Sequence, residues 1–283
     1  MQKKMPYFVF TLPSLLMMSC VMLFPLGYAV FNSLYSNSGT EFVGLDNYAT
    51  VLTSPAFYHS LKVSVLFTVV VVSLEFVIGL FLAVQLDKIG FGRKFFSVTL
   101  YLPFIITAAA AGVIFRWMLM PEWGIVNQLL MGLGIPAPNW FDNPDWAMVG
   151  IIMAEVWQST PFVLIIMFSG LQSLPKEQLE AGEIDGASSR QLFWNVTLPH
   201  LRHLILFVFM MRTMDAWRLF DRIYTMTQGG PGDATETMVL YNFRISFRLL
   251  RNGEGLAVGV LTLLILCIPI VFYLRTMRSK EVD

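Results

Sequence analysis

The chain has 283 residues, of which 56% are apolar and only 13% are charged, whereas a soluble domain carries about 25% charged residues on its surface. The formal net charge of zero argues against nucleic acid as a partner, because its phosphates demand a basic surface. The mean hydropathy of +0.64 predicts an all-α polytopic membrane protein in the lipid bilayer, with residues 1–283 forming one transmembrane domain.

Six apolar segments are long enough to cross a hydrocarbon core of about 30 Å as helices, which takes about 20 residues each. The predicted spans are residues 8–34, 61–86, 95–119, 147–171, 203–226 and 255–274. The first follows Lys3 and Lys4, but it is too long for the core of a signal peptide and lacks a cleavage site after it. It is therefore predicted to be a spanning helix.

The distribution of Lys and Arg predicts the orientation, because basic residues near span ends favour the cytoplasm. With both termini inside, residues 120–146 lie outside and contain no Lys or Arg. Eleven of the 19 basic residues then lie in the cytoplasm: Lys3, Lys4, Lys88, Arg93, Lys94, Lys176, Arg190, Arg202, Arg275, Arg278 and Lys280. The sequence thus predicts an N-in, C-in topology.

Cysteine and histidine spacings give no sign of a metal site. Cys20 and Cys267 match neither a zinc site nor a CxxC redox pair. His59, His200 and His203 form no H-E-x-x-H pattern. An integral-membrane enzyme is therefore disfavoured, and no metal or other cofactor is expected on this chain.

A cytoplasmic segment, residues 172–200, separates the fourth and fifth spans and contains LPKEQLEAGEIDGASSRQLFWNVTLP at 174–199. Pro175 suits a helix start, and Gly186 can end that helix in a left-handed conformation. A second short helix is predicted over residues 187–196, stopped by Pro199. Two short helices joined by a glycine turn are predicted to bind in a groove on another protein. The alternative is an amphipathic loop that lies on the membrane surface.

The sequence EAGEIDGASSRQLFWNVTLP resembles the EAA motif of ABC importer permeases. Gly182 departs from the usual Ala, which we expect to soften the first helix. The segments at 42–52, 101–118, 156–175 and 220–237 are similar to the carbohydrate-uptake (maltose-type, binding-protein-dependent) subgroup. The matching motif residues are Glu180, Ala181, Asp185, Gly186, Ala187, Phe193 and Pro199.

This resemblance implies the permease subunit of an inner-membrane importer for a sugar or sugar-like solute, such as an oligosaccharide, polyol or glycerol derivative. Its expected partners are a second homologous permease, an ATPase dimer and a periplasmic or lipid-anchored solute-binding protein. The EAA residues Glu180, Ala181, Asp185, Gly186, Ala187 and Phe193 are expected to contact the ATPase. The chain lacks a G-x-x-x-x-G-K-[ST] loop, so ATP and Mg are expected on the partner subunits.

Charged residues at membrane depth usually face a cavity or a partner, and the fifth span is rich in them. Steps of three place Arg212, Asp215 and Arg218 near one side of a helix, where opposite charges can pair. Asp215 lies roughly 17 Å from the start of this span, near the midplane. Asp215, Trp217, Arg218 and Asp221 are therefore candidates for the substrate path; ion pairing at a contact with the partner permease is the alternative.

The other spans supply a smaller polar set. Glu155 and Gln158 in the fourth span are weaker candidates for the path, and Pro161 is predicted to kink that helix. Glu75 in the second span is expected to make a packing or partner contact. Six spans with buried charges would also fit a secondary transporter or channel for a small polar solute, so the importer assignment depends on the EAA resemblance.

Overall fold

A computed structural model describes residues 7–278 of the chain. Within this range the fold is helical, and the only β feature is an isolated antiparallel bridge between Tyr35 and Phe42. The α-helices are, in chain order, α1 (Tyr7–Met18), α2 (Phe24–Asn32), α3 (Asp46–Thr53), α4 (Pro55–Lys88), α5 (Arg93–Ile105), α6 (Ala108–Met118), α7 (Ile125–Gly132), α8 (Pro144–Gln172), α9 (Lys176–Ile184), α10 (Ser189–Leu192), α11 (Leu198–His200), α12 (Arg202–Trp217), α13 (Asp221–Met226), α14 (Met238–Phe243) and α15 (Asn252–Arg278). Short π-helical turns lie at Ser19–Leu23, Phe193–Thr197 and Arg244–Arg248.

Four helical stretches are long and apolar enough to cross a membrane, which confirms the membrane class. Within residues 7–278 they are Thr11–Asn32, Pro55–Lys88, Pro144–Gln172 and Asn252–Met277. Two bent helix pairs, Arg93–Ile105 with Ala108–Met118 and Ser189–His200 with Arg202–Trp217, raise the number of candidate spans to at most six if each pair is one span. Pro161 lies within the uninterrupted helix α8, so the fourth span is not broken at this proline. Asn143 caps that helix by accepting hydrogen bonds from the amides of Asp145 at 2.9 Å and Trp146 at 3.3 Å.

The third predicted span is wrong as a single helix. Residues 95–119 are divided between α5 and α6, which are bent by 97° relative to each other. Ile106 and Thr107 between them are extended, and the hydroxyl of Thr107 accepts a hydrogen bond from the amide of Ala110 at 3.3 Å. A new N-cap so close to Pro103 starts a second helix in a new direction.

The fifth predicted span, residues 203–226, is also wrong as a single helix. Helix α12 ends at Trp217, and α13 begins at Asp221 after a break of three residues. The 16 residues of α12 give a length of about 24 Å, shorter than a hydrocarbon core of about 30 Å. The break therefore places Arg218 and Asp221 at helix ends rather than inside a continuous span.

Contacts between residues divide the described chain into two compact units. The first unit is residues 7–59 with 241–265, and the second unit is residues 60–240 with 266–278. In the first unit, the buried amide of Asn47 donates to the carbonyls of Ser33 and Tyr35, both at 2.7 Å. Gly255 lies so close to Ser246 that an added Cβ would be 2.0 Å from its hydroxyl oxygen. Gly255 thus permits close packing within this unit.

The second unit has an apolar core formed mainly by α4, α8 and α12, with Ala83, Val163, Met167 and Val208 among its fully buried residues. Gly79 of α4 faces α8, because an added Cβ would lie 2.6 Å from the Cβ of Val163. These helices approach closely enough for side chains from α4, α8 and α12 to meet.

Candidate functional site

Four charged side chains from four helices are buried together in the second unit. Glu75 (α4), Glu155 (α8), Arg212 (α12) and Arg222 (α13) are each between 0% and 4% exposed. We call them the buried quartet. Two carboxylates balance two guanidinium groups, which is the arrangement that makes charge tolerable at membrane depth.

Arg212 joins both carboxylates of the quartet. Its Nε donates to Glu75 Oε2 at 2.7 Å, and its Nη2 donates to Glu75 Oε1 at 3.0 Å and Glu155 Oε1 at 2.7 Å. Glu75 therefore has a bidentate, charge-assisted partner, the strongest kind of side-chain hydrogen bond. Sequence reasoning did not assign this role to Glu75, although it is the only charged residue between Lys62 and Asp87 in an otherwise apolar helix.

Arg222 extends the network toward the break in the third span. Its Nη1 pairs with Glu155 Oε2, and its Nη2 donates to the side-chain oxygen of Gln158. The amide nitrogen of Gln158 in turn donates to the carbonyl oxygen of Ile106. Polar contacts thus run without interruption from α4 through α12, α8 and α13 to the junction of α5 and α6.

Asp215 and Arg218 lie at the exposed edge of this network. Arg212 Nη1 is 3.4 Å from Asp215 Oδ2, and Arg218 Nη2 donates to Asp215 Oδ1 at 2.8 Å. The side chains of Asp215 and Arg218 are 36% and 64% exposed. Both ion pairs expected from the three-residue spacing are confirmed.

An aromatic pair lies beside these charges, at the break between α12 and α13. The rings of Phe220 and Tyr224 are stacked with centroids 5.1 Å apart and an interplanar angle of 19°. Asp221, between them in the chain, is exposed. Tyr224 could not be selected from the sequence. Its ring stacks on Phe220, four residues earlier, because a new helix begins at Asp221.

The six sequence-predicted path residues therefore fall into two groups. Glu155, Gln158 and Trp217 are buried in the second unit. The other group, Asp215, Arg218 and Asp221, is partly or fully exposed. Exposed charged groups and an aromatic stack that lie close together in the chain can bind the hydroxyl groups and the apolar face of a sugar ring.

Residues 172–200, the predicted coupling segment, have the expected helix, turn and second helix; we refer to them as the coupling segment. Helix α9 follows Pro175, and Gly186 has φ of +80° with nothing within 4 Å of an added Cβ. Ser188 and Gln191 form a reciprocal capping box that starts α10. The predicted end of the second helix is wrong, because helical structure continues through Pro199 to His200 after a π turn at Phe193–Thr197.

The two short helices pack against each other at Gly182. An added Cβ there would lie 2.5 Å from Leu192 Cδ2, and Leu192 is buried. Gly182 thus makes room for a packing contact, rather than only softening the first helix. Leu192 therefore does not belong to the outer surface of the segment.

The outer surface of the coupling segment combines polar and large apolar groups. Ile184 is 85% exposed and Trp194 is 56% exposed. Glu180, Ala181, Asp185 and Gly186 are exposed, while Ala187 and Phe193 are partly buried. Exposed apolar side chains beside acidic groups are typical of a protein contact.

The sequence matches a family model described as "Binding-protein-dependent transport system inner membrane component" over residues 75–280. The sulfoquinovosyl glycerol transport system permease protein SmoG of Agrobacterium fabrum is 34% identical over 277 residues, covering 95% of this chain and 89% of that protein. The trehalose/maltose transport system permease protein MalF of Thermococcus litoralis is 35% identical over 240 residues, covering 85% and 81%.

The fold is also similar to that of a solved structure. A chain of a bacterial ABC transporter involved in the import of the acidic polysaccharide alginate aligns with a TM-score of 0.85. The alignment covers 96% of this chain and 95% of that chain at 19% sequence identity. At this level of sequence identity, the similarity is evidence for the fold alone.

Proposed function

The chain belongs to the family of binding-protein-dependent transport system inner membrane components, and we propose that it forms part of the translocation pathway for a sugar or sugar-like solute. It is a multi-pass permease subunit of the bacterial inner membrane rather than an enzyme. Family membership favours this function over the alternative of a secondary transporter or channel. The carbohydrate solutes named for the relatives support the solute class.

One observation carries the proposed pathway: partly or fully exposed charged groups and a partly exposed aromatic stack occur together at the break between α12 and α13, and we infer that they form one face. Asp215, Arg218 and Asp221 can exchange hydrogen bonds with hydroxyl groups, and the Phe220 and Tyr224 stack offers a flat apolar surface. The buried residues Glu155, Gln158 and Trp217 act in this proposal by holding that face in position. The whole chain, residues 1–283, acts as one transmembrane permease domain.

The coupling segment is proposed to dock on a partner ATPase subunit, which binds ATP and Mg. Ile184 and Trp194 would supply apolar contacts, and Glu180, Ala181, Asp185, Gly186, Ala187 and Phe193 would form the rest of the surface. The complex would also contain a second homologous permease, a second ATPase subunit, and a periplasmic or lipid-anchored solute-binding protein. Closure of the ATPase dimer would then change pore access through this contact, a two-state step.

Cysteine labelling with a membrane-impermeant reagent in spheroplasts tests the proposed N-in, C-in orientation. Cys20 and Cys267 are both exposed on the chain, so both are first replaced by alanine. We expect Asn139→Cys to be labelled from outside and Ser189→Cys to be labelled only after permeabilisation; both native residues are exposed. Labelling of Ser189→Cys in intact spheroplasts would show that the orientation is the opposite of the one proposed.

Substitution of the exposed face tests the proposed pathway. We expect Arg218→Gln and Tyr224→Ala each to reduce uptake and solute-stimulated ATPase activity about tenfold, equivalent to about 1.4 kcal/mol of lost binding, with assembly of the complex unchanged. Arg251→Gln is the matched control, since Arg251 forms an exposed i,i+3 pair with Glu254 at 3.4 Å in the other unit.

Two results would count against the pathway. Full uptake by both variants would show that this face does not contact solute. Loss of the purified complex in Arg218→Gln, with assembly restored in a double variant with Asp215→Asn, would instead place the pair at the contact with the second permease.

A further inference from the structure

A cavity of about 250 Å³ in the second unit is lined by none of the residues of the proposed pathway. Three segments form it: the end of α6, the loop before α8, and the turn that follows α13. Its lining residues are Arg116, Phe141, Met226, Thr227, Gln228, Gly230 and Pro231. A volume below about 300 Å³ suits one ring-sized group rather than an extended chain.

Arg116 gives this cavity a cationic wall. Its Nη1 donates to the carbonyl oxygen of Thr225 at 3.0 Å, and its Cζ lies 6.0 Å from the centroid of the Phe141 ring. Guanidinium has five N–H donors, and no carboxylate in residues 7–278 forms an ion pair with Arg116. This separates it from Arg212 and Arg222, whose charges are balanced within the buried quartet.

The turn after α13 forms another part of the wall, and hydrogen bonds within the turn stabilise it. The hydroxyls of Thr227 and Thr235 are 2.7 Å apart, and Thr235 also donates to the carbonyl of Gly230 at 2.9 Å. Gln228 has φ of +54°, a left-handed conformation that costs a non-glycine residue about 1–2 kcal/mol and persists only when its surroundings enforce it. A wall fixed in advance lowers the entropy lost when a ligand binds.

We propose that this cavity binds an oxyanion group of a sugar derivative: a carboxylate, sulfonate or phosphate. The planar donors of Arg116 match two oxygens of such a group, which an ammonium would not, and Phe141 covers the apolar face of the attached ring. This inference rests on the proposed function, since it assigns an acidic solute to the same permease. A lipid headgroup can also carry a phosphate, so the binding of a phospholipid is measured beside that of the sugars.

Binding of matched probes to the purified complex, measured by titration calorimetry, tests the inference. Methyl β-glucuronide and methyl β-glucoside differ at one carbon, which carries a carboxylate only in the glucuronide. We expect the complex to bind the glucuronide at least about tenfold more tightly, a difference of about 1.4 kcal/mol. Arg116→Gln should abolish this preference.

Arg93→Gln is the matched control. Arg93 also donates to backbone carbonyls, at 2.9 Å and 3.1 Å, and lies 5.9 Å from the ring of Phe168, but it does not line the cavity. Its preference for the glucuronide should equal that of the wild type. Phe141→Leu serves as a second variant if Arg116→Gln does not assemble; it should weaken binding of both sugars and keep the preference.

Equal affinities in the wild type, or a preference that survives Arg116→Gln, would overturn the inference. Binding of short-chain phosphatidylglycerol without binding of methyl β-glucuronide would also overturn it, in favour of a lipid headgroup. If the complex transports a neutral carbohydrate but shows no preference, only this inference fails. If no carbohydrate is transported or stimulates ATPase activity, the proposed function fails.

Discussion

Gly186→Val is expected to leave the subunit inserted in the membrane while it abolishes ATPase association and solute uptake. The native φ of +80° lies in the left-handed region, which costs an L-residue about 1–2 kcal/mol and is worse for a β-branched side chain. The turn would therefore relax, and the outer surfaces of α9 and α10 would no longer face the partner together. Co-purification with the ATPase and uptake in the same cells measure both effects.

Gly186→Asn is the control for this prediction. Nothing lies within 4 Å of an added Cβ at Gly186, so a larger side chain should cause no steric clash there. Asparagine also tolerates the left-handed conformation. We expect Gly186→Asn to retain most uptake. Normal transport by a well-expressed Gly186→Val protein would falsify the assignment of residues 172–200 as the coupling segment.

Arg212→Gln is expected to destabilise the second unit strongly, by about 3–5 kcal/mol, because removal of one partner leaves a buried charge uncompensated. Glu75 is 0% exposed and pairs with Arg212 alone in the described residues. The double variant Glu75→Gln with Arg212→Gln restores equal numbers of opposite charges, since Glu155 keeps its contact with Arg222. It should recover much of the loss.

The thermal midpoint and yield of the purified complex would measure these effects as a double-mutant cycle. Arg218→Gln is the control, because its exposed ion pair is worth about 0–1 kcal/mol. Wild-type stability in Arg212→Gln, or a double variant no better than the single, would show that the quartet does not act as a unit.

The long apolar helices could be predicted from sequence because each is a continuous run with few charges. The bend at Ile106 could not, since hydropathy averaged over about 20 residues passes through this position without a signal. Pro103 and Thr107 marked it locally, but tertiary contacts decide whether such residues break a helix. In the fifth predicted span, five charged residues between 212 and 222 marked a polar segment, but they did not show that the helix would end at Trp217.

In the candidate site, too, contacts within one helix could be predicted from the sequence, whereas contacts between distant residues could not. Pairing of Asp215 with Arg212 and Arg218 was predictable from helix spacing alone. The contact between Arg212 and Glu75 joins residues 137 positions apart, and no local pattern relates them. The same holds for Arg222 and Gln158, which are 64 positions apart. Sequence reasoning could find the charges, but not which of them would be buried together.

The order of synthesis gives the buried quartet a further consequence. Glu75 leaves the ribosome 137 residues before Arg212, which takes about 7–27 s at roughly 5–20 residues per second. During that interval the helix carrying Glu75 has no guanidinium to offset its carboxylate in lipid. The cost of one such charge is a few kcal/mol on insertion scales, which the apolar residues of this 34-residue helix can offset until Arg212 has been made. The contact between Glu75 and Arg212 therefore forms after the helix of Glu75 is made, and it serves the packing of the finished helices.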